Sequence, residues 1–224
     1  MANPPLWALS HAQVAVEVVA TIAFALSGLI EGARKRLDAV GICVVAGLAA
    51  FGGGTVRDVL LDRRPLFWVE HAAWLWVLMA LCIGAMLFMR ARHLEPTERA
   101  MQWPDALGLG LFTAGGTQIA LDASMPAIVA VVMGLVTAVF GGVLRDIVCN
   151  EIPRAFSDHR PYAICSFAGG WVLVLAHALA APQWVALLAG AATATLLRVA
   201  SIVTGWNLPS WQVSDHGAGD KGPP

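Results

Sequence analysis

Apolar residues come in seven long stretches, close to residues 13–30, 39–61, 71–89, 105–121, 125–149, 161–179 and 183–203. A helix rising 1.5 Å per residue needs about 20 residues to cross a hydrocarbon core. The pattern therefore predicts an all-α membrane protein with seven transmembrane helices joined by short polar loops. No Lys or Arg precedes the first stretch, Glu17 lies within it, and Arg34, Lys35 and Arg36 follow it. That order is wrong for a cleaved signal peptide, so the first helix is expected to be retained. Residues 207–224 read as a disordered tail, polar and rich in Gly, Pro and Asp.

Composition agrees with the pattern: 58% of residues are hydrophobic and 13% charged, against roughly 45–50% and 25% in soluble domains. A net charge of −1 offers no basic surplus for a phosphate backbone, so nucleic acid is excluded as a partner. Cys43, Cys82, Cys149 and Cys165 all lie in or beside apolar stretches, without a C-x-x-C pair. They read as small buried thiols. No H-E-x-x-H, G-x-S-x-G or P-loop occurs, so no enzyme class, cofactor or fixed metal site is expected.

Loop cations set the orientation. With the N-terminus outside, Arg34, Lys35, Arg36, Arg90, Arg92, Arg99, Arg154, Arg160, Arg198 and Lys221 fall inside, and only Arg63 and Arg64 outside. Positive residues accumulate on the cytoplasmic side, which predicts a multi-pass protein of a bacterial plasma (inner) membrane with its C-terminus cytoplasmic.

The chain also repeats itself at an offset of 88 residues. Phe24 falls on Phe112, Gly28 on Gly116, Ala39 on Ala127, Gly53 and Gly54 on Gly141 and Gly142, Arg57 and Asp58 on Arg145 and Asp146, and Pro65 on Pro153. Glu70 and His71 fall on Asp158 and His159. Each copy holds three helices, an odd number, so the second must sit upside down in the membrane. The expected units are residues 1–94, an inverted copy over 95–180, a seventh helix over 181–206 and the cytoplasmic tail 207–224. Inverted repeats are a common plan for transport proteins.

Candidate chemistry concentrates in the second and fifth helices. Gly52, Gly53 and Gly54 lie near the middle of one, Gly141 and Gly142 of the other. Each glycine costs a helix roughly 1 kcal/mol relative to Ala. A break there frees carbonyls, hard oxygen ligands for a monovalent cation; the alternative is that the glycines let helices pack closely. Arg57 and Arg145 follow within the same helices. An Arg deep in a span costs on the order of 2.5–3.5 kcal/mol, and adjacent helical residues do not face each other. Arg57 is therefore expected to find a partner on another helix rather than in Asp58, and Arg145 likewise rather than in Asp146. Inversion places the pairs at two ends of one path, as pore-mouth or gating charges. Glu17, near the outer end of the first helix, is a candidate vestibule acid or, equally, an interfacial or helix-packing residue.

The motifs Phe51-Gly-Gly-Gly-Thr-Val-Arg-Asp58 and Phe140-Gly-Gly-Val-Leu-Arg-Asp146, with the 3+3+1 plan, resemble the bacterial trimeric intracellular cation channels (TRIC), a family also described as glycine transporters. The resemblance implies a homotrimer with one pore per protomer, lined by glycine-kinked second and fifth helices and passing potassium and sodium. Phe140 stands where the first copy has Gly52, and the Lys-Glu-Val signature of animal members is absent. The leading expectation is thus a monovalent cation channel among membrane lipids. The alternative is a secondary transporter of a small zwitterion such as glycine, its carboxylate held by helix-break N–H groups and Arg57.

Overall fold

The computed structural model describes residues 10–92, 97–157 and 160–207, the side chains of 90–92 excepted. The tail from 208 on and the pair Asp158 and His159 lie outside them. Among the described residues, all regular structure is helical: seven helices of 16 to 25 residues and two of four. They are α1 (His11–Arg34), α2 (Ala39–Leu60), α3 (Phe67–Glu70), α4 (Ala73–Arg92), α5 (Glu98–Asp122), α6 (Ala127–Val148), α7 (Arg154–Ser157), α8 (Ala163–Ala178) and α9 (Gln183–Thr204). By length and composition, α1, α2, α6 and α9 can each cross a bilayer. The apolar stretches of α4 and α8 are shorter.

Local chemistry sets the helix ends. Ser10 and Gln13 form a capping box on α1, and the Asp38 and Thr97 side chains accept from the N–H groups of Gly41 and Ala100 to start α2 and α5. At the C-terminal ends of α1, α2, α5 and α6, one residue turns left-handed: Arg36, Asp62, Ser124 and Asn150. The N–H of the residue after each then bonds back into the last turn, Leu37 to Gly32, Arg63 to Asp58, Met125 to Ala120 and Glu151 to Asp146. These ends recur 88 residues apart, so the repeat extends to backbone conformation.

Equivalent helices also meet each other. Phe24 and Phe112 stack at 5.4 Å. Gln13 bonds Asp122 while Ser27 bonds Asp105, so going forward along α1 is going backward along α5. In the same way Gly53 lies against the Thr137 carbonyl and Gly141 against the Ala49 carbonyl, which sets α2 and α6 antiparallel. Such reciprocity is what a two-fold axis perpendicular to the helices generates. It continues within each copy, where Gly28 abuts Ala46 and Gly116 abuts Gly134.

Helix α5 begins at Glu98, not at residue 105 as the apolar pattern suggests. Pro104 lies inside it, where proline forfeits a hydrogen bond, and the Trp103-Pro104-Asp105 sequence mimics a helix start. This places Asp105 two turns within the helix. Of its 25 residues, 16 are buried, so α5 is the central helix. It tolerates polar side chains because protein, not lipid, surrounds them.

On the face that carries the α1–α2 turn, Glu31 is fully buried and takes Arg34 at 2.7 Å and Arg154 at 3.3 Å. Lys35 pairs with Glu151 beside them. That hydrogen bond holds the Glu151 carboxyl below the usual carboxylate range. A depressed carboxyl stabilises the fold fully above its unfolded-state value and loses that contribution only as pH falls through the lower folded-state value. The difference in melting temperature between wild type and Glu151→Gln should therefore stay constant from about pH 6 to about pH 8; a difference that shrinks over that range removes the pair from this role.

Candidate functional site

Arg57 lies in the last turn of α2 with no exposed surface. Its Nη1 donates to Glu17 Oε1 of α1 at 2.6 Å, and its Nε to Asp58 Oδ1 at 2.9 Å. Nη2 sits 2.8 Å from the same Asp58 oxygen, in ion-pair contact but out of line for a hydrogen bond. The second oxygen, Asp58 Oδ2, accepts the Phe67 N–H at 3.0 Å and so caps α3. Arg63 approaches Asp58 Oδ1 at 3.4 Å, and the Phe67 ring lies 5.6 Å from the Arg57 guanidinium.

The second copy rebuilds this cluster and enlarges it. Arg145 Nη1 donates to Asp105 Oδ1 of α5 and to Ser27 Oγ of α1, both at 2.5 Å, and Nε donates to Asp146 Oδ1 at 2.8 Å. Asp146 Oδ2 accepts the Arg154 N–H at 3.0 Å and caps α7. The hydroxyl of Tyr162 donates to Asp105 Oδ2 at 2.8 Å. Over the Tyr162 ring lies the guanidinium of Arg198, 4.7 Å from its centre, with Nη1 donating to the Pro161 carbonyl at 3.4 Å.

Several expectations change here. Arg57 and Arg145 do reach acids on other helices, but each also binds the aspartate next to it. Neighbouring helical positions diverge by about 100°, an angle the long arginine arm spans when it curls back toward the helix end. Glu17 is not an open vestibule acid; it is buried as the partner of Arg57. Arg198 is not a loop cation; only 2% of it is exposed, and without it the inside-to-outside ratio of the orientation argument is nine to two.

The glycines also behave differently from the expected break. Helix α2 runs unbroken through Gly52, Gly53 and Gly54, and α6 through Gly141 and Gly142, so no carbonyls are released there. A Cβ on Gly53 would fall 1.9 Å from the Thr137 carbonyl oxygen, and one on Gly141 2.3 Å from that of Ala49. These two glycines let the α2 and α6 backbones touch where they cross. Gly52 and Gly54 pack against Leu144 and Phe67. Gly142 alone of the five faces the buried charges: an added Cβ meets Tyr162 Oη, Arg145 Nη2 and Asp105 Oδ1 at 3.4 to 3.8 Å. The cavity it lines with Asp105, Arg145, Tyr162 and Arg198 has a volume of about 10 Å³. That is room for about one water molecule, too little for a hydrated cation.

Asp105, Tyr162, Ser27 and Arg198 are site residues that motif reasoning did not find. One signal was present: the same offset of 88 carries Glu17 onto Asp105. Tyr162, Ser27 and Arg198 have no counterpart of like chemistry in the other copy and reach the site only through folding.

These features define a class: an all-helical, multi-pass membrane protein made of a repeated three-helix unit, with a buried arginine clamped by two acids in each copy. Within it, the chain belongs to the Glycine transporter family, which matches twice, over residues 14–92 and again over 102–178. The two matches fall one on each copy. It is 32% identical over 203 residues to a UPF0126 membrane protein of Vibrio cholerae serotype O1, covering 89% of this chain and 82% of that one. It is also 32% identical over 207 residues to the UPF0126 inner membrane protein YadS of Escherichia coli K12, 90% and 97% of the two lengths. Its fold matches the solved TRIC trimeric intracellular cation channel orthologue from Rhodobacter sphaeroides, with a TM-score of 0.82, 32% identity and coverage of 88% of this chain and 100% of that one. A second TRIC cation channel structure matches with a TM-score of 0.79 and 29% identity, covering 90% and 98%.

Proposed function

We propose that this chain is a passive channel for monovalent cations, potassium and sodium, with one pore in each protomer of a homotrimer in a bacterial inner membrane. All seven long helices span the bilayer in this reading. The units 1–94 and 95–180 are inverted copies, 181–206 adds the seventh span, and the N-terminus lies outside with the C-terminus cytoplasmic. The path runs along the α2–α6 crossing, with the Arg57 cluster at its outer mouth and the Arg145 cluster at its inner mouth.

The observation that carries this reading is the recurrence of one charge arrangement at both ends of a two-fold crossing. Each cluster sets two carboxylates against one buried guanidinium. The extra negative charge leans on Arg63 at one mouth and on the Tyr162 hydroxyl at the other. A passing cation that takes over those roles finds two carboxylates at each mouth ready to hold it. With α2 and α6 unbroken, the acids and hydroxyls of the clusters, rather than freed carbonyls, are the ligands on offer. Likeness to TRIC cation channels at about 30% identity over nearly the whole chain supports the same reading.

A glycine carrier needs an arginine free to hold the substrate carboxylate, but Arg57 and Arg145 already commit Nε and Nη1 to protein acids. This favours the channel. The purified trimer in planar bilayers should give single-channel potassium currents, with sodium also permeant from reversal potentials; saturable glycine uptake without such currents overturns the proposal.

Tyr162 offers a sharper test of the inner mouth. A hydrogen bond to a charged group contributes about 1.5–3 kcal/mol. Tyr162→Phe removes one from Asp105, so open probability should rise by about tenfold or more. An unchanged open probability takes Tyr162 out of the closed state.

A further inference from the structure

Two of the cysteines meet between α2 and α4. The chain turns at α3, where Phe67 packs on Gly54 near the end of α2, so α4 runs back along α2. Gly47 faces Leu78: a Cβ added to the glycine would lie 3.4 Å from Leu78 Cδ2. One turn further, back along α2 and onward along α4, the facing residues are Cys43 and Cys82, and their thiols hydrogen-bond each other. The second copy makes the same approach at the equivalent positions. There, 88 residues on, stand Val131 and Gly170, and a Cβ on Gly170 would lie 3.0 Å from Val131 Cγ1 and 3.5 Å from its Cα. Only the first copy carries sulfur on both sides of this contact. Cys82 is fully buried, while Cys43 is half-buried beside the face of α2 that exposes Val40 and Val44. Among the described side chains of α4, Leu78 and Cys82 are the buried ones, so this helix is held along a narrow seam.

We propose that Cys43 and Cys82 are a reversible modification site, oxidised to a disulfide between α2 and α4 by a quinone dissolved in the bilayer. Two thiols in contact are what reversible oxidation needs, because the second sulfur resolves the oxidised first one. Access selects the oxidant. Helix α2 is long and apolar enough to cross a bilayer, so whatever reaches Cys43 past Val40 and Val44 has to dissolve in hydrocarbon. Quinones do, and they accept two electrons. In the step, the Sγ–Sγ bond forms as both S–H bonds break; two electrons and two protons pass to the carbonyl oxygens of the quinone, which leaves as the quinol. The product is uncharged, as an apolar seam requires, and it ties α4 to α2 covalently. The site rests on α2 and α4 lying in the bilayer, not on cation conduction.

The test reads the thiols without any current. The full-length protein in phosphatidylcholine liposomes is incubated with decylubiquinone, then denatured, alkylated and analysed by intact-protein and peptide mass spectrometry. Wild type should lose two hydrogens and two alkylation sites, with one disulfide joining Cys43 to Cys82, and dithiothreitol should restore all four thiols. Cys43→Ser and Cys82→Ser should each keep their remaining thiols free under the same treatment. Oxidised glutathione in the aqueous phase should leave the wild-type pair reduced over the same time. Four free thiols after quinone treatment, a disulfide that involves Cys149 or Cys165 or joins two chains, or a quinone left attached to one cysteine overturns the site. Wild type decides these outcomes, so nothing hangs on whether a variant folds. Oxidation by glutathione as fast as by quinone overturns the bilayer route. A protein that forms the disulfide but carries no potassium overturns the channel reading alone.

Discussion

Gly53→Ala should destabilise the protein by about 3 kcal/mol or more, the upper end of what overpacking costs, whereas Gly142→Ala should be nearly neutral. At Gly53 the added methyl lands 1.9 Å from a backbone carbonyl oxygen of α6, and backbone has no rotamer through which to yield. Helices α2 and α6 must part, and the reciprocal contact of Gly141 with Ala49 parts with them. Gly141→Ala should therefore behave like Gly53→Ala. Because the obstruction is a carbonyl, trimming Thr137 to Gly should not rescue Gly53→Ala. At Gly142 the nearest atoms to an added Cβ, Tyr162 Oη and Arg145 Nη2, lie 3.4 and 3.5 Å away, ordinary contact distances. Gly142→Leu, by contrast, fills the small cavity of the inner mouth and should abolish potassium flux in proteoliposomes while the trimer still assembles. Thermal unfolding in detergent, read beside flux, separates the two roles. A Gly53→Ala protein as stable as wild type sinks the packing assignment, and a freely conducting Gly142→Leu sinks the pathway assignment.

These two glycines show where sequence reasoning reached and where it stopped. The offset of 88 residues identified Gly53, Gly142, Arg57 and Arg145 as special, because identical residues recur at one spacing in both copies. It could not tell a glycine that admits a backbone from one that faces a cavity, since that depends on which side of α2 or α6 meets the other copy. Helix positions were legible from apolar runs because lipid imposes a length. The exception was α5, whose first turn is polar and exposed and whose second carries Pro104, and with it Asp105 was read as a boundary residue rather than a buried acid. Arg198 was misplaced for a related reason: an arginine near a helix end looks interfacial until its aromatic partner, Tyr162, arrives from 36 residues earlier. The acid partners of the arginines were legible only in part. Local helical geometry argued against Asp58 and Asp146, but the reach of the arginine side chain overrode it.

Arg145→Met should cost about 3–5 kcal/mol, because it leaves Asp105 and Asp146 buried without their cation. Adding Asp105→Asn and Asp146→Asn should return most of that loss, since a neutral amide no longer needs a counter-charge and can still accept from Tyr162 and from the Arg154 N–H. The triple variant should then be more stable than the single one, a non-additivity expected of groups in one network. Function should not recover with the fold. The neutral cluster has lost the excess carboxylate that draws a cation, so the triple variant should assemble, unfold near the wild-type temperature and still conduct potassium poorly. The equivalent set on the other copy, Arg57→Met with Glu17→Gln and Asp58→Asn, should show a smaller recovery, because Arg63 then loses its contact with a charged Asp58. Melting curves of the three proteins at each mouth, with matched flux measurements, decide the matter. If Arg145→Met is within about 1 kcal/mol of wild type, the arginine is not the cation that holds these acids in the fold. If the triple variant conducts as wild type does, the charge of this cluster is structural and the cation path lies elsewhere.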